Sequence, residues 1–151
     1  MQSYRAIDIA NFIIDTCTRM GTPVSNLRLQ KLLYFAWVDY YDETKLYLFE
    51  DNMQAWQLGP VVPEVYYEYC AYGGKPINLL FEFLPSLAEI KDTLVKIIKK
   101  YILVPVSTLV ARTHMPDTAW FRIYDGGRGN KDVIPFWLIK QLEFGEGYAT
   151  T

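Results

Sequence analysis

The sequence predicts a mainly α-helical fold, a compact single helical domain with one small β-hairpin. Apolar side chains recur every three or four positions at 7–17 and again at 87–101, which is the spacing of one face of a helix. Between these stretches, near 46–58, the period shortens to the alternation of a strand. A chain of 151 residues, 16% of them aromatic, can bury its own core, so we expect one domain over residues 1–151.

The first two helices are predicted at 4–20 and 26–43. Ser3 can accept a hydrogen bond from the free amides of the first helix, and Gly21 ends that helix. Ser25 can cap the second helix in the same way. Because the second helix leaves few positions for polar residues, we expect it to be the central and most buried helix of the fold.

The hairpin is predicted to turn at Asp51-Asn52, because both residue types tolerate the positive φ of a tight turn. On its second strand, Trp56 and Leu58 share one face, and we expect this face to pack on the central helix. Gln57 belongs to the opposite face, so we expect its side chain to point outward, where a partner can contact it.

The third and fourth helices are predicted from the residues at their ends. Pro63 fits the first turn of the third helix, and Gly73 ends that helix at about residue 72. In the fourth helix, Ser86 and Glu89 form a capping box, in which each side chain can accept from the other residue's backbone amide. Pro105 ends the fourth helix.

Shorter elements are predicted in the last third of the chain. Ser107 can cap a fifth helix at 108–114, and Asp117 can cap a brief turn. The final helix is predicted at about 133–143, where Pro135 is tolerated because it lies in the first turn. The run DGGRGNKD before this helix is predicted to be a loop.

The charge distribution argues against a nucleic-acid-binding protein. The formal net charge is −2 and the pI is about 5.4, whereas DNA-binding domains usually carry a basic face. The one cluster of cations, Lys96, Lys99 and Lys100, lies near a predicted helix end, where positive charge stabilises the helix dipole. We therefore predict that the protein binds no nucleic acid on its own.

The N-terminal residues and the two cysteines indicate a cytoplasmic protein. Polar residues interrupt the start of the chain too often for a signal peptide, and no apolar run approaches the ~20 residues that span a bilayer. Cys17 and Cys70 share no CxxC spacing. We therefore expect two reduced thiols packed in the core, and no membrane partner.

No catalytic or metal-binding site is predicted. His114 is the only histidine, so a histidine-rich metal site cannot form. We expect His114 to be structural, with the Thr113 hydroxyl or a nearby carbonyl as its hydrogen-bond partner. The glycine-rich loop lacks the GK[ST] ending of a phosphate-binding loop. We predict no cofactor, no metal and no enzymatic activity, and a hydrolase that uses His114 is the less favoured alternative.

Three motifs follow one another along the chain. They comprise Leu29, Gln30, Lys31, Leu32, Leu33, Tyr34 and Phe35, then Ala55, Trp56, Gly59, Pro60, Val61, Pro63, Glu64, Val65 and Tyr66, and finally Thr113, His114 and Trp120. This order resembles the Panacea domain family, the SocA-like antitoxins, which also occur among phage-associated proteins. The sequence departs from the family pattern at Gln57-Leu58, often a basic-aromatic pair, and at Met115, often an acidic residue.

The resemblance implies an antitoxin of a toxin–antitoxin system, which neutralises a cognate protein toxin encoded nearby by direct protein–protein binding. It also implies an alternative, a proteolytic adaptor that delivers a bound toxin to an ATP-dependent protease. The residues expected to contact the partner lie at the predicted hairpin and are Gln57, Gly59, Pro60 and Val61. The motif residues expected to maintain the fold are Gln30, Lys31, Trp56, Pro63, His114 and Trp120.

Overall fold

The computed structural model describes residues 3–146. This range contains seven α-helices and one three-stranded sheet. The helices are α1 (Ala6–Arg19), α2 (Asn26–Thr44), α3 (Pro63–Tyr69), α4 (Lys91–Tyr101), α5 (Val106–Thr113), α6 (Ala119–Tyr124) and α7 (Phe136–Phe144). The strands are β1 (Met53–Trp56), β2 (Gly59–Val61) and β3 (Val133–Ile134). The prediction of a mainly α-helical fold is confirmed.

The central position of α2 is confirmed. Ser25 caps the helix as predicted, since its Oγ accepts from the amide of Arg28 at 3.2 Å. The helix packs against α1, α4, α5, α7 and β2. Trp37 is fully buried near its middle, where the indole Nε1–H donates to the carbonyl of Phe49 at 3.0 Å and the ring stacks on Phe136. Every other layer of the fold is therefore arranged around this helix.

The hairpin lies further along the chain than predicted. Strands β1 and β2 pair antiparallel, with Trp56 opposite Gly59, and Gln57-Leu58 forms the turn. Asp51, the predicted turn residue, instead accepts a hydrogen bond from the amide of Ala6 at 3.0 Å. Asp51 therefore takes the capping role at the start of α1 that the sequence suggested for Ser3, a contact between residues far apart in the chain.

The buried face of β1 is the opposite of the predicted one. Met53 and Ala55 are buried, whereas Trp56 is only partly buried and Leu58 is 50% exposed. The Trp56 ring packs on the ring of Tyr66 in α3, with 4.8 Å between ring centroids. Trp56 thus lies on the outer face of β1, where α3 partly covers it. The smaller side chains of Met53 and Ala55 form the face of β1 that packs on the core.

Strand β3 was missed by the sequence reading, which placed its residues in the final helix. It pairs antiparallel with β1, with Met53 opposite Ile134. Pro135 then precedes α7 as its N-terminal flanking residue. A two-residue strand contains no periodic pattern, so only its pairing partner identifies it.

The predicted caps of the later helices are wrong. Helix α4 begins at Lys91, because the preceding amides bond to backbone carbonyls in tight turns around Pro85–Leu87 and leave the capping box of Ser86 and Glu89 unformed. Helix α5 begins at Val106 with no side-chain cap. Helix α6 is capped by Thr118 and not by Asp117. The apolar face predicted for α4 is nevertheless buried, as Leu87, Ile90, Leu94, Ile97 and Tyr101 show.

Candidate functional site at the hairpin

The first, second and third sequence motifs meet beneath the hairpin turn. Lys31 of α2 is fully buried, and its Nζ donates to the carbonyl of Pro60 at 2.7 Å. A Cβ atom at Gly59 would lie 2.8 Å from this Nζ and 2.7 Å from Oγ1 of Thr113. Lys31, the Gly59-Pro60 backbone and Thr113 are therefore packed in direct contact, and the absence of a side chain at Gly59 makes this contact possible.

Lys31 is an ionisable group with no anionic partner among the described residues. Burial lowers the pKa of its ammonium from 10.5 to about 7, because an uncompensated charge is unfavourable in an apolar surrounding. Near neutral pH, the amine is therefore partly uncharged. Its hydrogen bond to Pro60 ties the hairpin to α2.

Replacing Lys31 by Met is expected to remove a pH dependence of stability. The pKa is about 7 in the folded protein and near 10.5 in the unfolded chain, so the unfolded chain binds more protons between these values. The free energy of unfolding of the native protein should therefore rise by about 1.4 kcal/mol per pH unit above about pH 7, relative to Lys31→Met. Urea melts of both proteins at about pH 7 and about pH 9 measure the difference. An equal pH response in both would contradict the assignment.

His114 and Trp120 form a stacked pair behind this cluster. Their ring centroids lie 3.8 Å apart and their planes are nearly parallel, and the Trp120 Nε1–H donates to the carbonyl of Trp56 at 2.6 Å. The hydrogen bond expected between Thr113 and His114 is not formed, because the Thr113 hydroxyl donates to the carbonyl of Val110. The buried Nε2 of His114 has no hydrogen-bond partner among the described residues.

The surroundings of His114 favour the neutral form of its imidazole. Burial lowers its pKa, and the nearby Lys31 ammonium lowers it further. A neutral imidazole stacked on an indole can hold α5 against α6 by ring packing. No hydrogen bond aligns it with a nucleophile among the described residues.

Gln30 joins α2 to the start of α3. Its Oε1 accepts from the amide of Val62 at 2.9 Å, and its Nε2 donates to Oδ1 of Asn26 at 3.1 Å. Asn26 in turn donates to the carbonyl of Tyr66 at 3.0 Å. Asn26 was not predicted as a site residue, although two side-chain amides four positions apart on one helix can form such a pair.

An open groove borders this cluster, between the hairpin tip, the first turns of α2 and the end of α3. This tip groove has a volume of about 310 Å³. It is mainly apolar, and the residues along it include Leu27, Gln30, Trp56, Gln57, Leu58 and Tyr66. Gln30, one of its polar lining residues, is held in place by its hydrogen bonds to Val62 and Asn26.

The four residues expected to contact a partner lie at different depths. Gln57 is exposed on the tip groove because it lies in the turn, since the strand face to which it was assigned, that of Met53 and Ala55, is buried. Val61 is 6% exposed and lines the same groove. Gly59 and Pro60 are buried beneath the turn, so they support the surface and do not form it.

The two cysteines differ in environment. Cys17 is buried in α1, where burial raises the pKa of its thiol to about 12, so it is an inert core residue. Cys70 is exposed and lies along the tip groove, which corrects the expectation that both thiols are packed in the core. Both cysteines are free thiols.

Residues 3–146 contain neither a candidate metal site nor a candidate membrane-spanning helix. No group of three His, Cys, Asp or Glu residues in this range could hold a metal ion. No helix in the same range has both the length and the apolar character needed to cross a lipid bilayer.

Comparison with known proteins gives one family and one curated relative. The family described as "Antitoxin SocA-like, Panacea domain" matches residues 29–121. A protein named Antitoxin SocA, from Caulobacter vibrioides (strain NA1000 / CB15N), is 41% identical over 76 residues. That alignment covers 50% of this chain and 40% of the relative's length. No solved structure matches. The family match contains the whole cluster from Gln30 to Trp120 and most of the tip groove, whose residues Asn26 and Leu27 precede the matched range.

Proposed function

The chain belongs to the family of SocA-like antitoxins that carry a Panacea domain, and on that premise we propose that it neutralises a cognate protein toxin by direct binding. The toxin is a protein encoded nearby, and the complex forms in the cytoplasm. The protein acts as one domain over 1–151, without a cofactor and without nucleic acid. The observation that carries this proposal is the tip groove, an apolar surface built from the same motifs that the family match covers.

Exposed aromatic side chains around the tip groove support its use as an interface. Tyr67 is 58% exposed and Leu58 is 50% exposed. The rings of Trp56, Tyr66 and Tyr67 pack against one another, with centroid distances of 4.8 to 6.0 Å. Tryptophan and tyrosine are favoured at the centres of protein interfaces, because they offer large rigid apolar areas. We propose that an apolar side chain of the toxin occupies this groove.

A binding role fits the chemistry of the buried cluster better than catalysis does. The Lys31 amine is enclosed and donates to Pro60, and His114 stacks on Trp120. A general acid or base must reach the substrate proton within hydrogen-bond distance. Lys31 and the Nε2 atom of His114 are both buried, so we assign both residues to support of the hairpin.

The change Gln57→Arg is expected to weaken toxin capture while leaving stability almost unchanged. Gln57 is exposed, so the substitution should alter the free energy of unfolding by less than about 0.5 kcal/mol. A charge in an apolar interface must be desolvated on binding, and we expect affinity for the toxin to fall about tenfold or more. Co-expression with the product of the adjacent reading frame, scored for growth rescue, and thermal melts measure both effects.

A matched variant separates position from charge. Thr108→Arg adds the same charge at another exposed site, away from the tip groove, and should keep full rescue. If Gln57→Arg rescues as well as the native chain, the tip groove is not the interface. If the native chain fails to rescue growth, the proposed antitoxin role itself fails. The half-life of the toxin in protease-deficient cells distinguishes sequestration from delivery to an ATP-dependent protease.

A further inference from the structure

A second groove lies between α1, α4 and the connection that precedes α4. Its volume is about 360 Å³, and we call it the basic groove because cations line it. The residues that line it include Phe12, Asp15, Arg19, Phe83, Lys91 and Lys99. None of its lining residues lines the tip groove, so the two surfaces can be tested separately.

The basic groove carries two lysines, Lys91 and Lys99, that no ion pair among the described residues neutralises. Arg19 is paired with Asp15, whose two carboxylate oxygens lie 3.0 and 2.9 Å from its Nε. Lys91 and Lys99 are exposed, and neither has a carboxylate partner among the described residues. Two positive charges therefore remain on this groove, in a chain whose net charge is −2.

The position of Lys91 is unfavourable for its own helix. It is the first residue of α4, where the positive end of the helix dipole repels a cation. Lys99 lies in the last turn, where the dipole alone could account for it. Lys91 also lies over the Phe83 ring, with its Nζ 5.3 Å from the ring centroid. Helix stability therefore does not explain why a cation stands at this place.

Apolar side chains are exposed beside these charges. Phe83 is 47% exposed, Leu84 39%, Leu80 59% and Met20 41%. The backbone of residues 78–83 is also open, because the only hydrogen bond it makes with the described residues is from the amide of Phe81 to Asp15. A surface that combines aromatic rings, free peptide groups and unpaired cations favours a polypeptide partner with apolar and acidic side chains.

We propose that the basic groove binds an acidic peptide segment of a partner protein. A large apolar side chain of the segment packs between Phe12 and Phe83, and flanking carboxylates pair with Lys91 and Lys99. A nucleic acid is the less suitable occupant, because two free cations neutralise few phosphates. The surface is separate from the tip groove, so the proposal extends beyond capture of the toxin at the hairpin.

To test the proposal, a phage-displayed library of random short peptides is panned against the immobilised protein. Selected peptides are synthesised with a fluorophore, and their affinity is measured by anisotropy. We expect acidic peptides that contain a large apolar residue, with binding that weakens as salt increases. The double variant Lys91→Glu/Lys99→Glu should lose at least about tenfold in affinity, and Phe83→Ala should also weaken binding.

The matched control is Lys75→Glu/Lys96→Glu, which changes the charge equally at exposed positions that do not line the basic groove. It should bind the selected peptides as the native chain does. The proposal is overturned if no peptide is selected, if basic peptides dominate, or if the control loses as much affinity. It is also overturned if light scattering shows a dimer that the Lys91/Lys99 variant abolishes, or if oligouridylate binds more tightly than the peptides. Growth rescue plays no part in these measurements, so failure here leaves the antitoxin proposal standing.

Discussion

Gly59→Ala is expected to destabilise the protein by about 3–5 kcal/mol, from backbone strain and overpacking together. Gly59 has φ +114°, a conformation that residues with a Cβ rarely adopt. The new methyl group would also lie 2.7 Å from Thr113 Oγ1 and 2.8 Å from Lys31 Nζ. To relieve this clash, Lys31 must move, and movement of its amine breaks the hydrogen bond to Pro60. Urea unfolding followed by circular dichroism measures the loss.

A second glycine provides the control for backbone strain alone. Gly73 also has a positive φ, at +59°, but a Cβ there would meet no atom within 4 Å. Gly73→Ala should therefore cost about 1–3 kcal/mol, from backbone strain alone. If the two variants lose equal stability, the close packing of Lys31 and Thr113 around Gly59 contributes nothing. If Gly59→Ala is as stable as the native protein, the geometry of the cluster is wrong.

Trp120→Ala is expected to lower the free energy of unfolding by about 3–5 kcal/mol, as for other buried aromatic residues. Trp120 is only 6% exposed, and its ring stacks between His114 and Tyr124. Removing the indole also leaves the Trp56 carbonyl without the donor that it has in the native protein. Thermal melts and urea unfolding of the variant should agree on the size of the loss.

Trp56→Ala provides the comparison for Trp120→Ala. The sequence favoured Trp56 as the core tryptophan of the hairpin, which predicts a loss of about 3–5 kcal/mol. Because Trp56 packs on the outer side of β1 and is partly exposed, we now expect only about 1–2 kcal/mol. The folded variant should lose toxin binding directly, through its place on the tip groove. A larger loss of stability for Trp56→Ala than for Trp120→Ala would contradict this distinction.

Much of the candidate site was named from the sequence, but its geometry was not. Gln30, Lys31 and Trp120 were expected to maintain the fold, and each makes a hydrogen bond to the hairpin or to the residue that follows it. No local pattern indicated that Lys31 is enclosed against Gly59 and Thr113. A lysine in a helix usually extends to solvent, and only the packing of distant elements over α2 prevents it here.

Local patterns determined the longer helices of this protein, α1, α2 and α4. The apolar spacing of α1 and α4 and the apolar run at 32–38 in α2 act within a few residues, so they can be interpreted without knowledge of the fold. The order of the three motifs likewise indicated the family, because motif order is a property of the sequence alone. These features account for the helical class and for the central place of α2.

Only the tertiary structure decided the features that depend on partners far along the chain. Asp51 caps α1 across 45 residues, and Trp120 meets Trp56 across 64. Which face of β1 is buried depends on the position of Tyr66, since an alternating strand has two faces and its pattern does not say which one meets the core. The physical reason is the same in each case. Hydrogen bonds and apolar contacts act only over short distances, and folding brings residues that are far apart in the sequence within those distances.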